Sequence, residues 1–250
     1  MSVSLDPAPP SRGEDLPCDD GEPMETQRHR DQMNLLVDSL WDHTRDRDDV
    51  YVAGNMAVYF SETQARRQDF RAPDFFAVLD THRHERRSWV VWEEDGRTPD
   101  VVIEITSPTT EDVDRGTKMR VYARMLHVTT YVIYDPFTLQ LDGFRLEGAR
   151  YVPIALDADG RLAVEPLGLL LGVVPTGGVQ GAPALRWFDR EGGMIPLRAE
   201  REAAARVDAE ARADAEAVRA DAEAARADAA EAARREAEAE VARLQRLLGR

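Results

Sequence analysis

Three residues that could together hydrolyse a phosphodiester bond follow one another along the chain. Asp74 opens an apolar, strand-like segment, Glu104 lies inside the apolar run 101–105, and Lys118 lies on the helical segment that follows that run. Two carboxylates on adjacent strands could hold one Mg²⁺ (or Mn²⁺), with water and substrate phosphate oxygens completing an octahedron. A lysine nearby could orient the attacking water or stabilise charge that develops on the phosphate.

The lysine is unusual because the chain otherwise uses arginine. Of its 32 basic residues, 31 are arginine, and the only lysine is Lys118. With such a bias, a site that needed only positive charge should carry arginine. Position 118 therefore favours a need for a compact ammonium, which the larger and planar guanidinium cannot replace. The chance survival of one lysine remains the alternative.

Glu104 and Lys118 are predicted to meet. A glutamate between apolar neighbours costs free energy to desolvate unless it is paired or bound to a metal. Four and seven residues after Lys118 stand Tyr122 and Met125, which belong to the apolar stripe of the predicted helix, so Lys118 should face the sheet. Asp100 shares a strand face with Glu104 but lies roughly 13 Å away, so it is interpreted as a strand-start residue.

Each of the three residues also has a purely structural interpretation. Asp74 could be a strand-start aspartate after a proline, and Lys118 a surface lysine. Glu104 could form a buried salt bridge with Arg120 or Arg124. Only their combination, in the order strand, strand, helix, favours function.

The elements that must position these residues follow from the apolar periodicity. Helices are predicted over residues 29–44 and 111–126. Strands are predicted over residues 50–60 (interrupted at Gly54-Asn55), 75–79, 89–92, 101–105, 130–134, 139–146, 151–155, 162–165 and 184–188. Strands, one central helix and more strands indicate an α/β or α+β sheet domain, which we bound at residues 26–195.

The two ends of the chain differ from this domain. Residues 1–25 are polar and proline-rich and are predicted to be disordered. Residues 196–250 are predicted to form a long helix, since 21 of the last 52 residues are alanine. Arg212, Arg219 and Arg226 recur every seven residues, which favours an oligomerising coiled coil. A solvated helix held by i,i+4 ion pairs is the alternative, because alanine fills most seam positions.

Composition excludes several classes of protein. The chain has no apolar run long enough to cross a membrane, and we expect no secretory signal. Its one cysteine, Cys18, rules out an intramolecular disulfide and a cysteine-based zinc site, which is typical of a cytoplasmic protein. The net charge of -15 argues against a protein that coats nucleic acid by bulk electrostatics. It does not exclude an enzyme with a local basic groove or a metal ion.

A second candidate site carries less weight. His82 and His84, with His127, could suggest zinc, but the segment around residue 83 lies between two predicted strands and is better explained as a solvated hairpin loop. The same segment holds three arginines that could contact phosphate: Arg83, Arg86 and Arg87. A solvated loop explains them equally well.

Several motifs together resemble a known family. They are Arg71-Ala72-Pro73-Asp74, the run 99–108 (PDVVIEITSP), then Asp114, Lys118 and Tyr122, and the run 131–136 (YVIYDP). The chain resembles, over roughly residues 28–195, the Uma2 family of restriction endonucleases in the PD-(D/E)xK nuclease superfamily. The resemblance implies a central mixed sheet flanked by helices. It also implies a catalytic set of Asp74, Glu104 and Lys118, in which Asp74 and Glu104 hold the metal.

The pattern departs from the wider superfamily at one position. There the lysine stands two residues after the glutamate, which here is Thr106. The resemblance implies that the lysine has moved to the following helix, as Lys118. A helix packed over the strand could bring the ammonium to the same point in space.

These observations support a leading hypothesis and an alternative. The leading hypothesis is a metal-dependent endonuclease that hydrolyses DNA, acting as a homodimer or higher homo-oligomer without a membrane partner. The alternative is a catalytically silent nuclease-fold protein: either a binding or scaffold protein that assembles through its C-terminal helix, or a regulator whose tail recruits a partner. The acidic net charge favours the alternative, whereas the single lysine favours the enzyme.

Overall fold

The computed structural model describes residues 12, 16, 26–61, 70–107 and 110–249. The chain divides into two compact units, Met1–Arg198 and Ala199–Arg250. The first unit contains every strand of the described chain, and the second is helical. The predicted disordered lead-in, residues 1–25, falls almost entirely outside the described residues and stays a prediction.

Three helices and eleven strands make up the described chain, besides short 3₁₀ turns. The helices are α1 (Gln27–His43), α2 (residues 111–124) and α3 (Arg198–Leu247). The strands are β1 (Val50–Ala53), β2 (Val58–Tyr59), β3 (Phe75–Leu79), β4 (Trp89–Val90), β5 (Val101–Ile105), β6 (Thr130–Tyr134), β7 (Leu141–Glu147), β8 (Arg150–Ile154), β9 (Leu162–Val164), β10 (Leu169–Val174) and β11 (Ala184–Phe188).

The main sheet has six strands in the order β1-β3-β5-β6-β7-β8. Strands β5 and β6 are parallel, and their connection runs through α2. All other neighbours in this sheet are antiparallel, so the sheet is mixed. A second, antiparallel sheet contains β9, β10 and β11, and β2 pairs with β4 in a short parallel ribbon.

Side chains from the two faces of the main sheet form separate apolar cores. One core joins α1 and the second sheet to the main sheet, and it includes Leu36, Phe75, Ile103, Val132 and Trp187. The other core packs α2 on the opposite face, and it includes Phe76, Val102, Tyr122, Leu126 and Tyr131. Neighbouring strand residues alternate between the two cores, as the two-residue period of a strand requires. The α/β prediction, a mixed sheet flanked by helices, is confirmed.

Most strands lie where the apolar pattern predicts them. Two segments that contain glycine differ from the prediction. Strand β10 was not predicted, because Gly168 and Gly172 interrupt its apolar run. The predicted strand 50–60 is two strands, since the chain turns at Gly54 and at Asn55, which has a φ of 47°.

Helix α3 confirms the predicted long C-terminal helix. None of its described residues is buried within this unit. Its most apolar stretch is also exposed, with Val241 at 54%, Leu244 at 49% and Leu247 at 73% of their full accessibility. Coiled-coil pairing stays a prediction. Within the described part of the chain, no helix combines the length and apolarity that a membrane crossing requires.

Candidate active site

The pairing of β3 with β5 brings Asp74 and Glu104 to one face of the main sheet. Phe75 lies opposite Ile103, and Phe76 lies opposite Val102. One further step along this antiparallel register puts Asp74 opposite Glu104. Directly opposite residues in an antiparallel pair point to the same face, here the face that α2 covers.

Asp74 is held at this position by contacts to two other elements. Its Oδ2 accepts a hydrogen bond of 2.7 Å from the backbone N–H of Ile105, and its Oδ1 lies 2.7 Å from Nε2 of His29 on α1. Gly54 allows the chain before β3 to pack closely, because a Cβ there would lie 2.5 Å from the Asp74 carbonyl oxygen. Asp74 is therefore fixed beside Glu104 and tied to α1, which the strand-start interpretation does not explain.

Glu104 is buried, with 1% of its surface exposed. The hydroxyl of Tyr122 donates a 2.7 Å hydrogen bond to its Oε1, and Lys118 Nζ lies 3.1 Å from its Oε2. Burial raises the pKa of Glu104 to about 8; Lys118 opposes this rise, whereas Asp74 and Asp114 add to it. Ionising Glu104 is therefore unfavourable in this site, because its protein partners do not fully offset the loss of solvation.

Lys118 reaches the sheet from a helix that changes its winding. Helix α2 consists of an α-helical start, a π-helical turn over Asp114–Lys118, and an α-helical end over Met119–Arg124. Lys118 Nζ lies 2.8 Å from Asp114 Oδ1 as well as 3.1 Å from Glu104. Burial alone would lower the pKa of Lys118, but the carboxylates of Glu104 and Asp114 outweigh it and hold the pKa above its ordinary value.

Two alternatives from the sequence are therefore corrected. The basic partner of Glu104 is Lys118, and not Arg120 or Arg124. Lys118 faces the sheet, so it is not an ordinary surface lysine. Tyr122 lies on the buried stripe as expected, but Met125 does not and is 55% exposed. The helix ends at Arg124, before Met125, so Met125 does not continue its buried stripe.

Sequence reasoning gave no role to two residues of the site, His29 and Asp114. His29 precedes Asp74 by 45 residues, and no spacing rule connects them. Asp114 stands four residues before Lys118, which is the spacing of an ion pair on one helix face. That spacing could have identified Asp114.

A comparison with known families matches the sequence of this chain to one of them. Residues 10–174 match the family model described as "Uma2: Putative restriction endonuclease". The chain belongs to this family. The Uma2 match covers α1, the main sheet and α2, and hence every residue of the candidate site described above.

Individual relatives of this Uma2-family chain are distant. A protein of Synechocystis sp., "Uncharacterized protein slr1290", is 24% identical over 107 residues, which are 42% of this chain and 53% of that protein. The match therefore spans about half the length of that relative. A solved structure from Anabaena variabilis, titled "putative nuclease belonging to DUF820", gives a TM-score of 0.43 at 16% identity, covering 58% of this chain and 76% of that one.

Two of the three arginines in the segment 82–87 contact other parts of the domain. Arg83 lies 3.5 Å from the centre of the Trp41 ring and donates to two backbone carbonyls of α1 and its end. Arg86 makes a two-armed ion pair with Glu94, at 2.6 and 2.8 Å, and is 5% exposed. These two arginines therefore stabilise the fold and are not open phosphate contacts.

The zinc interpretation of the histidines finds no support. Outside the unassigned segments 1–11, 13–15, 17–25, 62–69, 108–109 and 250, no group of three or more His, Cys, Asp or Glu side chains could hold a metal ion. Asp100 behaves as predicted for a strand-start residue, because its Oδ2 accepts a 2.8 Å hydrogen bond from the Leu79 N–H.

Proposed function

We propose that this member of the Uma2 family is a Mg²⁺-dependent endonuclease that hydrolyses DNA phosphodiester bonds. The contact between Lys118 Nζ and Glu104 Oε2 supports this most directly. A lysine that the sequence places on a helix, and not two residues after the glutamate, still meets that glutamate. The nuclease constellation of two carboxylates and an ammonium can therefore form without the lysine at position 106.

The residues present fit a magnesium or manganese ion. Asp74 and Glu104 offer carboxylate oxygens, which are the ligands that Mg²⁺ prefers, and two protein ligands suit an ion that keeps several waters. Within the described residues, Glu104 Oε2 accepts no aligned hydrogen bond and lies 3.1 Å from the Lys118 ammonium. When the carboxylates of residues 74, 104 and 114 are all ionised, they exceed the one ammonium by two negative charges, which one divalent cation would offset.

Each residue of the site would have a separate role in the reaction. Asp74 and Glu104 would hold the ion, which when bound polarises the phosphate and lowers the pKa of a water molecule. His29 and the Ile105 N–H keep the Asp74 carboxylate in place. Lys118 would orient the attacking water or stabilise the charge that develops on the phosphate. Its high pKa keeps the ammonium charged at neutral pH.

The proposal also includes the location and the assembly of the protein. We place the enzyme in the cytoplasm and assign helix α3 to self-association into a homodimer or higher homo-oligomer. The alternative function is a silent nuclease-fold scaffold that assembles through α3. The net charge of -15 favours this alternative, because DNA binding then depends on a local basic surface or on the metal.

Asp74→Asn tests the proposed function, with the exposed Asp112→Asn on α2 as the matched control. We expect wild type and the control to bind Mg²⁺ by calorimetry and to cut supercoiled plasmid or single-stranded DNA. Asp74→Asn should lose at least about tenfold in Mg²⁺ affinity and most of the cleavage. Absence of both binding and cleavage in wild type would exclude the enzyme and favour the silent scaffold.

A further inference from the structure

Asp114 is a buried acid to which the proposed chemistry gives no direct task. It is 1% exposed, and its Oδ1 lies 2.8 Å from Lys118 Nζ. That oxygen accepts no aligned hydrogen bond from the described residues. Its backbone is fixed separately, because the hydroxyl of Tyr131 donates a 3.0 Å hydrogen bond to the Asp114 carbonyl. Among the described residues, the Oδ1 of this carboxylate is therefore directed at Lys118.

The π-helical turn explains why an acid is buried here. In a regular α-helix, side chains four positions apart diverge by about 40° around the axis. A π-helical turn has more residues per turn, so within it the divergence has the opposite sign and offsets part of the divergence in the α-helical turns that follow. Positions 114, 118 and 122 consequently face the sheet, and Asp114 and Tyr122 are buried. Val113, one position earlier, is 48% exposed.

This winding buries a charged residue. That burial costs free energy, so local stability does not account for it. π-Helical turns often occur at functional sites. What the turn achieves is the placement of a carboxylate next to the ammonium of the chain's single lysine.

We propose that Asp114 is the positioning residue for Lys118 and holds its ammonium in the site when Glu104 binds the metal. This inference rests on the proposed function for its purpose, although the contact itself does not. Glu104 cannot give its full charge both to a divalent cation and to Lys118. Asp114 contacts the ammonium at 2.8 Å, closer than the 3.1 Å of Glu104, and belongs to the same helix, so this pair persists when Glu104 is engaged.

The single lysine provides a direct test. In protein labelled with ¹³C,¹⁵N-lysine, the only lysine side-chain signals come from Lys118, so they need no assignment. We expect a wild-type Cε order parameter above about 0.6, and a value below about 0.6 in Asp114→Asn. Glu111→Gln is the control, because it removes an exposed acid of the same helix that pairs with Arg115. The control should leave the order parameter unchanged.

Two further variants test the same contact if Asp114→Asn does not fold, or test whether the carboxylate alone restores the order of Lys118. Asp114→Ser is shorter and uncharged, and it replaces Asp114→Asn if the amide prevents folding. Asp114→Glu retains the carboxylate and should restore most of the order. A mobile Lys118 in wild type would overturn the proposal. So would an order parameter that is equally high in Asp114→Asn, or in Asp114→Ser.

Two additional measurements separate this inference from the proposed function. Adding Mg²⁺ should leave Lys118 ordered in wild type and lower its order further in Asp114→Asn. In cleavage assays, kcat of Asp114→Asn should fall by about 10–10²-fold while the DNA concentration at half-maximal rate stays within about twofold. If wild type neither binds Mg²⁺ nor cuts DNA, the proposed function fails, but the metal-free spectra still decide whether Asp114 holds Lys118.

Discussion

Two ion pairs with the same four-residue spacing and similar N–O distances differ in how far they are buried. Asp114 and Lys118 lie four residues apart on α2 with an N–O distance of 2.8 Å; Glu231 and Arg235 lie four residues apart on α3 with a distance of 2.6 Å. In the first pair the side chains are 2% and 25% exposed, and in the second 62% and 75%. Distance therefore does not distinguish them, and burial does.

The difference in burial changes what each pair can do. Water and salt screen the exposed pair, and such i,i+4 pairs contribute about 0.3–0.5 kcal/mol. The buried pair lies among two further carboxylates, where removing one charge leaves others uncompensated. The chain uses its only lysine in the buried pair and arginine in the exposed one. This comparison leads to the predictions below.

Exchanging the bases of the two pairs should have the largest effect. We expect Lys118→Arg to reduce Mg²⁺-dependent DNA cleavage by about 10²–10³-fold, because the wider guanidinium would displace metal-bound water. Thermal stability should fall by no more than about 1–3 kcal/mol, because the charge is kept but a larger side chain must fit a largely buried site. The matched exchange Arg235→Lys should change neither. Equal cleavage by wild type and Lys118→Arg would refute the role of Lys118.

The second-largest effect should be on the pH dependence of stability, because Glu104 is buried. Its pKa is raised to about 8 in the folded protein, from 4.5 when unperturbed. A raised pKa contributes stability that is fully present below pH 4.5 and is lost as the pH rises through 8. Without metal, wild type should therefore lose stability between pH 5 and pH 8.5 relative to Glu104→Gln.

Melting curves in a chelating buffer measure this difference. We expect the melting temperature of Glu104→Gln, minus that of wild type, to increase by at least about 4 °C over this range. Glu231→Gln is the matched exposed control and should give a difference independent of pH. A constant difference for Glu104→Gln would show that the folded protein does not resist ionisation of Glu104.

The parts of the site that the sequence predicted are those with a local signal. Glu104 stood out because its neighbours are apolar, and Lys118 because no other lysine exists. His29 gave no such signal, since its contact with Asp74 depends on how α1 packs against the sheet. The phase of α2 was also hidden, because helical periodicity assumes regular turns. Gly116, inside the π-helical turn, weakens the α-helix there but does not by itself specify a wider turn.

The fold was predictable to a similar extent and for similar reasons. The strands 75–79, 101–105, 130–134 and 184–188 have the predicted bounds, because each is a short apolar run between polar or turn residues. The order of strands in the sheet was not predicted. It depends on contacts between distant segments, which periodicity does not report.

Removing helix α3 should change the melting temperature of the domain little and should lower the oligomeric state. We expect a chain ending at residue 198 to show a lower mass by light scattering, while its melting temperature stays within about 2 °C of the full chain. The reason is that α3 buries none of its described residues within its own unit. An unchanged mass would limit α3 to a solvated or partner-binding role. Association through the sheet domain could persist in either case.

The smallest effect is expected from breaking the exposed pair itself. Glu231→Gln removes the charge but keeps the shape and much of the helix propensity of the side chain. Glutamate placed four residues before a basic residue is the favourable orientation, so some helical stability should be lost, about 0.3–0.5 kcal/mol at low salt and less at 1 M salt. Circular dichroism of the full chain against temperature, with Arg235→Gln as the reciprocal variant, measures it. A loss above about 1 kcal/mol that persists in salt would mean that this face of α3 is buried in solution, and the contrast with the Asp114–Lys118 pair would no longer hold.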